Sequence, residues 1–237
     1  MSDDPCFSDN YHILQQGEVQ KISGPSVSGR PCVSVVPQME NYEADESLCL
    51  TSLVFPQATL GNRIQASIID PLKKLQPSHY YYPTGSLHVT IKNIRSIASP
   101  PKFSEENITT ADSVLRTIVP RFSRFSLHLR ELVALRNSAS IIAYSNRILG
   151  DLILSLDSEL KMAGIPDDKV YISDSVFFGS MTICRFVGPP STNFLTSLPQ
   201  ISAHIDEELF VEAIQLVVCN AVCNPGNRRI VGTYHLR

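Results

Sequence analysis

The sequence predicts an α+β fold: two pseudo-symmetric lobes of mainly antiparallel sheet, with outer helices, around a central cleft. Three observations carry that reading. Strand-like apolar runs alternate with runs of helical spacing from residue 48 onward. A short segment, Leu87-His88-Val89-Thr90-Ile91-Lys92, returns 92 positions later (88 to 180) as Gly179-Ser180-Met181-Thr182-Ile183-Cys184-Arg185. Each copy sits in a half of similar content, and a period that long implies two facing lobes rather than a solenoid.

The elements follow in order. Residues 1–45 read as a partly irregular extension: Gly24 to Pro31 is turn-rich, and Glu40 to Glu46 is acidic, with little to bury. Cys32 to Val36 would make at most an edge strand between Pro31 and Pro37. Residues 46–237 form the folded domain. Leu48 to Phe55 predicts a strand, and Leu60 to Leu75 a helix that Pro71 should kink or split. Leu87 to Ile94 is the first motif strand. Thr110 is the expected N-cap of a helix carrying Val114, Leu115, Ile118 and Val119, closed by Pro120.

Phe125, Leu127 and Leu129 alternate, and Ile141 to Tyr144 supplies a hairpin partner. Ile148, Leu149, Leu152, Ile153, Leu156 and Leu160 predict a strongly amphipathic helix stopped at Gly164. Val176 to Phe186 is the second motif strand, followed by a short helix around Thr192 to Leu198. A closing hairpin is expected from Phe210 to Val222 and Arg229 to Leu236, across the turn Asn224-Pro225-Gly226-Asn227.

Composition sets the class. The chain has 237 residues, 43% of them hydrophobic, enough for one domain and an extension. No apolar run approaches the ~20 residues of a membrane span. The acidic start, Met1-Ser2-Asp3-Asp4-Pro5, lacks a secretory pattern, so a cytoplasmic protein is expected. A net charge of −3 argues against gripping long duplex nucleic acid through its backbone, and leaves a small charged ligand or a nucleic-acid end. Cys6, Cys32, Cys49, Cys184, Cys219 and Cys223 are scattered and read as reduced thiols. Cys219 and Cys223 would share one side of a strand, but neither a redox nor a zinc spacing is present, so no metal is assigned.

The motif itself carries the chemistry. Side chains alternate along a strand, so His88, Thr90 and Lys92 should project together, as should Ser180, Thr182 and Cys184. Two such strands side by side gather an imidazole, several hydroxyls and nearby cations, an inventory suited to a phosphate or phosphodiester. The tyrosines Tyr80, Tyr81 and Tyr82 before the first copy serve as core, as lid, or as a platform stacking a nucleobase.

The tandem motifs, their separation, and the Pro-Gly turn before the Tyr234 strand resemble the two-histidine phosphoesterase superfamily over Leu48 to Arg237. That superfamily includes LigT-like, or 2′–5′ RNA ligase-like, proteins and cyclic phosphodiesterases. The resemblance implies a cofactor-free enzyme whose partner is a nucleotide or short RNA with a 2′–5′ linkage or a 2′,3′-cyclic phosphate end. It implies His88 as general base or acid, Thr90 and Thr182 on the phosphoryl oxygens, and Arg185 as the basic residue beyond the second motif; Lys92 and Tyr82 are added as candidate ligands.

Ser180 stands where the pattern has its second histidine. A serine hydroxyl is too weak an acid to transfer a proton near neutrality, though it can donate a hydrogen bond, and a positioned acid or base contributes ~10²–10⁴-fold. It would act as a nucleophile only with His88 as its base. His79, Tyr80-Tyr81-Tyr82, His128, His235 and Cys184 are the residues that could replace the imidazole, and water is the simplest donor. The expectation is a weakened phosphodiesterase, or else a degenerate module that binds a nucleotide or RNA terminus without cleaving it.

Overall fold

The structure, a computed structural model, describes residues 10–23, 36–169 and 171–237. The expected edge strand at Cys32 to Val36 falls outside them but for its last residue. The strands are β1 (Leu48–Val54), β2 (Tyr80–Tyr81), β3 (Val89–Ala98), β4 (Phe125–Ala134), β5 (Ser138–Tyr144), β6 (Gly179–Arg185), β7 (Glu207–Val211), β8 (Ala213–Cys219) and β9 (Arg229–His235). They make one sheet in the order β7-β4-β5-β6-β3-β1-β8-β9, with β2 attached to β6. Every pairing is antiparallel. The α+β layout with two sheet lobes is therefore the observed one.

One lobe consists of β3, β1, β8 and β9; the other of β6, β5, β4 and β7. They join where β3 meets β6, through a single register pair, Val89 with Met181. These are the central residues of the two motif copies, and both are fully buried. Gly179 makes the joint possible: a Cβ there would lie 2.8 Å from Val89 Cγ1 and 3.1 Å from Ala143 Cβ.

The helices between β1 and β6 pack against the sheet through the main hydrophobic core. Ala58–Ile64 (α2) passes through a π turn, Gln65–Ile69, into Asp70–Leu75 (α3). Pro71 thus neither splits nor ends the helix, because the widened turn just before it accommodates the ring and the missing N–H. Helix α4 is Glu105–Ile118, with Ser104 as its N-cap in a reciprocal capping box with Asn107. Thr110, the expected cap, instead lies in the second turn and donates to the Glu106 carbonyl. Helix α5 (Arg147–Met162) ends as expected, with Gly164 at φ +79°. Helix α6 (Thr192–Ser202) continues through Pro199.

Two further expectations fail. The run from Phe210 to Val222 is not one strand: it breaks at Glu212, because β7 pairs with β4 in one lobe while β8 pairs with β1 in the other. The extension also buries more than its composition suggests. Residues Tyr11–Ile22 form helix α1. Its Val19 packs on Ile142 and Tyr144 of β5. Phe177 N–H donates to Tyr11 Oη (3.1 Å), and Gln15 Nε2 donates to the Phe177 carbonyl (2.6 Å). One helix face thereby satisfies both backbone groups of the residue leading into β6.

Gly179→Ala should cost about 1–3 kcal/mol, because Val89 is β-branched and cannot rotate away from the new methyl. Urea unfolding of the variant checks this; an unchanged midpoint would show that the joint is not close-packed.

Candidate active site

The antiparallel register at Val89 and Met181 sets His88 opposite Thr182 and Thr90 opposite Ser180. All four line a cleft of about 240 Å³ on the concave side of the sheet, together with Arg185. The two motif segments therefore do come together, and five of the seven candidate residues share one space. Lys92 and Tyr82 do not.

The reason for Lys92 is a break in the alternation. Ser52 pairs with Lys92, but the next residue, Leu53, pairs with Thr90, so Ile91 is an extra residue in β3. Beyond such a bulge the side chains exchange faces. Ser52 Oγ holds the distorted segment, accepting from Lys92 N–H (3.0 Å) and donating to the Lys92 carbonyl (3.2 Å). Lys92 turns to the helix side, 1% exposed, and binds Asp157 (2.7 Å) and Asp167 (2.5 Å). It is a buried structural ion pair, not a phosphate ligand.

The second copy repeats the device. Ala139 pairs with Cys184, but Ser140 pairs with Thr182, leaving Ile183 as the extra residue in β6. Cys184, expected beside Ser180, is turned away and buried. Arg185 takes its place in the cleft. Ile91 and Ile183 are 92 positions apart, so the bulge belongs to the repeat. By the same offset the partner of Arg185 is Asn93, which also lines the cleft. The repeat spacing was the available signal for Asn93, and the assumption of unbroken alternation hid it.

His88 is held neutral and in one tautomer. Its Nδ1–H donates to the Ser86 carbonyl at 2.7 Å, which leaves the lone pair on Nε2. Burial pushes its pKa down to about 4, and the positive charges of Arg185 and Arg228 add to that, against the Ser86 hydrogen bond. The imidazole is neutral throughout the physiological range. Arg228 arrives from the turn before β9; it donates to the Gly85 carbonyl (2.6 Å) and lies 4.5 Å over the Phe55 ring. Nothing in its local sequence marked it.

Arg185 is held from beneath. Its Nε donates to Tyr82 Oη (3.2 Å) and a terminal nitrogen to Asn137 Oδ1 (3.5 Å). Tyr82 donates onward to the Ala221 carbonyl (3.1 Å). At 1% exposure the Tyr82 ring has no free face to stack a base, which corrects its reading as a ligand. It positions Arg185 instead. Asn137 Nδ2 in turn binds the Val36 carbonyl, and Val36 and Ile22 both line the cleft, so the extension forms part of the site wall.

Among the hydroxyls, Thr182 Oγ1 accepts from buried Ser140 Oγ (3.2 Å), which leaves its own proton to donate. Ser180 and Thr90 hydroxyls carry no hydrogen bond to a described residue. None of the suggested substitute acids reaches the cleft. His79 is buried against Phe186 (5.0 Å) and Phe194 (5.5 Å), His128 is buried in β4, and His235 is exposed on the edge strand β9. The described cysteines are free thiols. Cys49 and Cys219 lie 3.7 Å apart at the cleft wall, and Cys223 sits in a turn at φ +51° rather than on a strand.

No protein-family model and no curated protein matches this sequence. Solved structures do. Escherichia coli LigT complexed with 3′-AMP superposes with a TM-score of 0.51 at 17% identity, covering 81% of this chain and 99% of its own. The same protein complexed with ATP gives 0.50 at 16%, with the same coverage. The Thermus thermophilus protein TT0787 gives 0.55 at 17%, covering 80% and 98%. The chain has the fold of these proteins.

Two outcomes follow from the geometry. In an NMR titration His88 should protonate near pH 4 and stay neutral at pH 7. Its folded pKa lies below the unfolded value of about 6.5, so it removes stability as pH falls from that value toward 4. His88→Gln should flatten that part of the pH–stability curve; a His88 midpoint near 6.5 would refute the assignment. Lys92→Ala should cost about 3–5 kcal/mol by stranding Asp167, which is 5% exposed. Chemical denaturation would read that loss, and a change under 1 kcal/mol would contradict the buried pair.

Proposed function

We propose that this chain is a phosphodiesterase of the two-histidine type, acting on a nucleotide or RNA-end phosphodiester such as a 2′,3′-cyclic phosphate or a 2′–5′ linkage. The observation that supports it most is the joint of the two motif strands, which gathers His88, Thr90, Ser180, Thr182 and Arg185 in one cleft. LigT, whose fold this chain has, was solved with 3′-AMP and with ATP, and a nucleotide ligand suits the same cleft here.

The chemistry needs one proton taken and one returned. A neutral imidazole bonded through Nδ1 to Ser86 is in the form that accepts a proton, so His88 serves as base rather than acid. Nε2 removes the proton of a water whose oxygen attacks phosphorus. The P–O bond to the ribose oxygen breaks, and the departing oxygen takes a proton from solvent. Thr90, Thr182 and Arg185 offset the charge gathering on the phosphoryl oxygens. Ser180 donates a hydrogen bond to the phosphoryl group and supplies no proton.

Ser180 also favours a second reading, a module that recognises a nucleotide terminus without turnover. The two are separated by one assay. With 2′,3′-cyclic nucleotides in EDTA, turnover should be measurable and fall about 10²-fold or more in His88→Ala. The wild-type rate should rise with pH through about 4 and then level, with no alkaline limb from a second imidazole. Ser180→His should raise it by about 10²-fold or more and restore a bell-shaped profile. Calorimetric binding of adenosine 3′-phosphate without turnover in either protein would leave the recognition module standing and remove the enzyme.

A further inference from the structure

The paired bulges give the cleft two poles. Because β3 and β6 run antiparallel from their joint, Arg185 and Asn93 lie at opposite ends of it. At the Asn93 end the amide nitrogen Nδ2 is buried and makes no hydrogen bond. A buried donor without an acceptor costs on the order of 1–3 kcal/mol, which an acceptor on a ligand would recover.

A cation shares this cleft, linked to Asn93 through Tyr171. Lys169 and Tyr171 come from the segment between α5 and β6, and both line the cleft. Tyr171 approaches the Asn93 backbone, and its hydroxyl is committed to Asp167 (2.7 Å). Asp167 is fully engaged: Oδ2 takes Lys92 and Tyr171, and Oδ1 takes the Lys169 backbone N–H. Lys169 Nζ therefore has no carboxylate within ion-pair distance among the described residues; it lies 5.4 Å from the Tyr171 ring centre. Burial disfavours its charged form and Lys92 adds to that, against the attraction of Asp167.

We propose that Asn93 Nδ2 and Lys169 Nζ form a second anion subsite, which takes a phosphate other than the one held between the motif strands. The inference rests on the function proposed above and extends it: the ligand is a nucleotide carrying at least two phosphoryl groups, one at the joint and one at the Asn93 end. An ammonium together with an amide donor favours an anion over an amine. A terminal 5′-phosphate and an internucleotide phosphodiester both supply that chemistry.

The test is calorimetry with three stable ligands: adenosine 3′-phosphate, adenosine 3′,5′-bisphosphate, and an adenylyl dinucleotide ending in a 3′-phosphate. The second or third should bind about tenfold or more tightly than the first, a difference of about 1.4 kcal/mol. A gain confined to the bisphosphate identifies the terminal phosphate, and one confined to the dinucleotide identifies the internal one; either supports the subsite. Lys169→Met and Asn93→Leu should each bring the ratio close to one. If Asn93→Leu does not fold, Lys169→Met, at a partly exposed loop position, carries the test alone. Equal affinity for all three ligands, or a gain that survives Lys169→Met, overturns the subsite and leaves the first reading intact. Failure of adenosine 3′-phosphate to bind, or binding indifferent to Thr182→Val, overturns both.

Discussion

The whole arrangement hangs on one contact, the pairing of Val89 with Met181. Among the described residues it is the only register pair between β3 and β6, and it lies at the centre of both motif copies. Because it is antiparallel, it places His88 against Thr182 and Ser180 against Thr90 without help from any loop. Close approach of the backbones requires a residue without Cβ at 179. A joint so narrow lets the strands diverge on either side, and that divergence is the cleft. Shape and chemistry thus share a single origin in the register of two strands.

Around that joint the chemistry is tuned by what is buried. His88 is kept neutral by burial and by two guanidinium groups, Arg185 and Arg228, while its tautomer is fixed by the Ser86 carbonyl. Arg185 is aimed by Tyr82 and Asn137, neither of which is acidic. Lys92, by contrast, is surrounded by carboxylates and serves the packing between β3 and α5. The cations of the two motif copies have opposite uses because a single extra residue in each strand exchanges the faces beyond it.

Much of this was legible in the sequence. The repeat predicted two lobes, the helical spacing predicted α5, and Gly164 marked its end. His88, Thr90, Ser180 and Thr182 were readable as one group because strand alternation holds up to Thr90 and Thr182. It stops holding at Ile91 and Ile183, and there the reading of Lys92 and Cys184 failed. Bulges are set by pairing with β1 and β5, so no local pattern reports them. Lys169 and Tyr171 reach the cleft, and Arg228 reaches the surroundings of His88, from segments distant in sequence that only the topology brings near. Helix α1 was missed because its burial is spread over Tyr11, Gln15, Val19 and Ile22, a face that includes a polar residue whose partner is the backbone of Phe177.

The strand order has a further consequence for how the chain folds. The lobe of β4, β5, β6 and β7 is built from one uninterrupted stretch, whereas β1 must wait for β8; Cys49 and Cys219, neighbours across that pairing, are 170 residues apart. On a growing chain the serine lobe has all its strands before the histidine lobe does. Until β8 emerges from the ribosome, β1 presents a bare apolar edge, the sort that invites another chain to pair with it. A nascent chain stalled before residue 213 is accordingly an aggregation hazard.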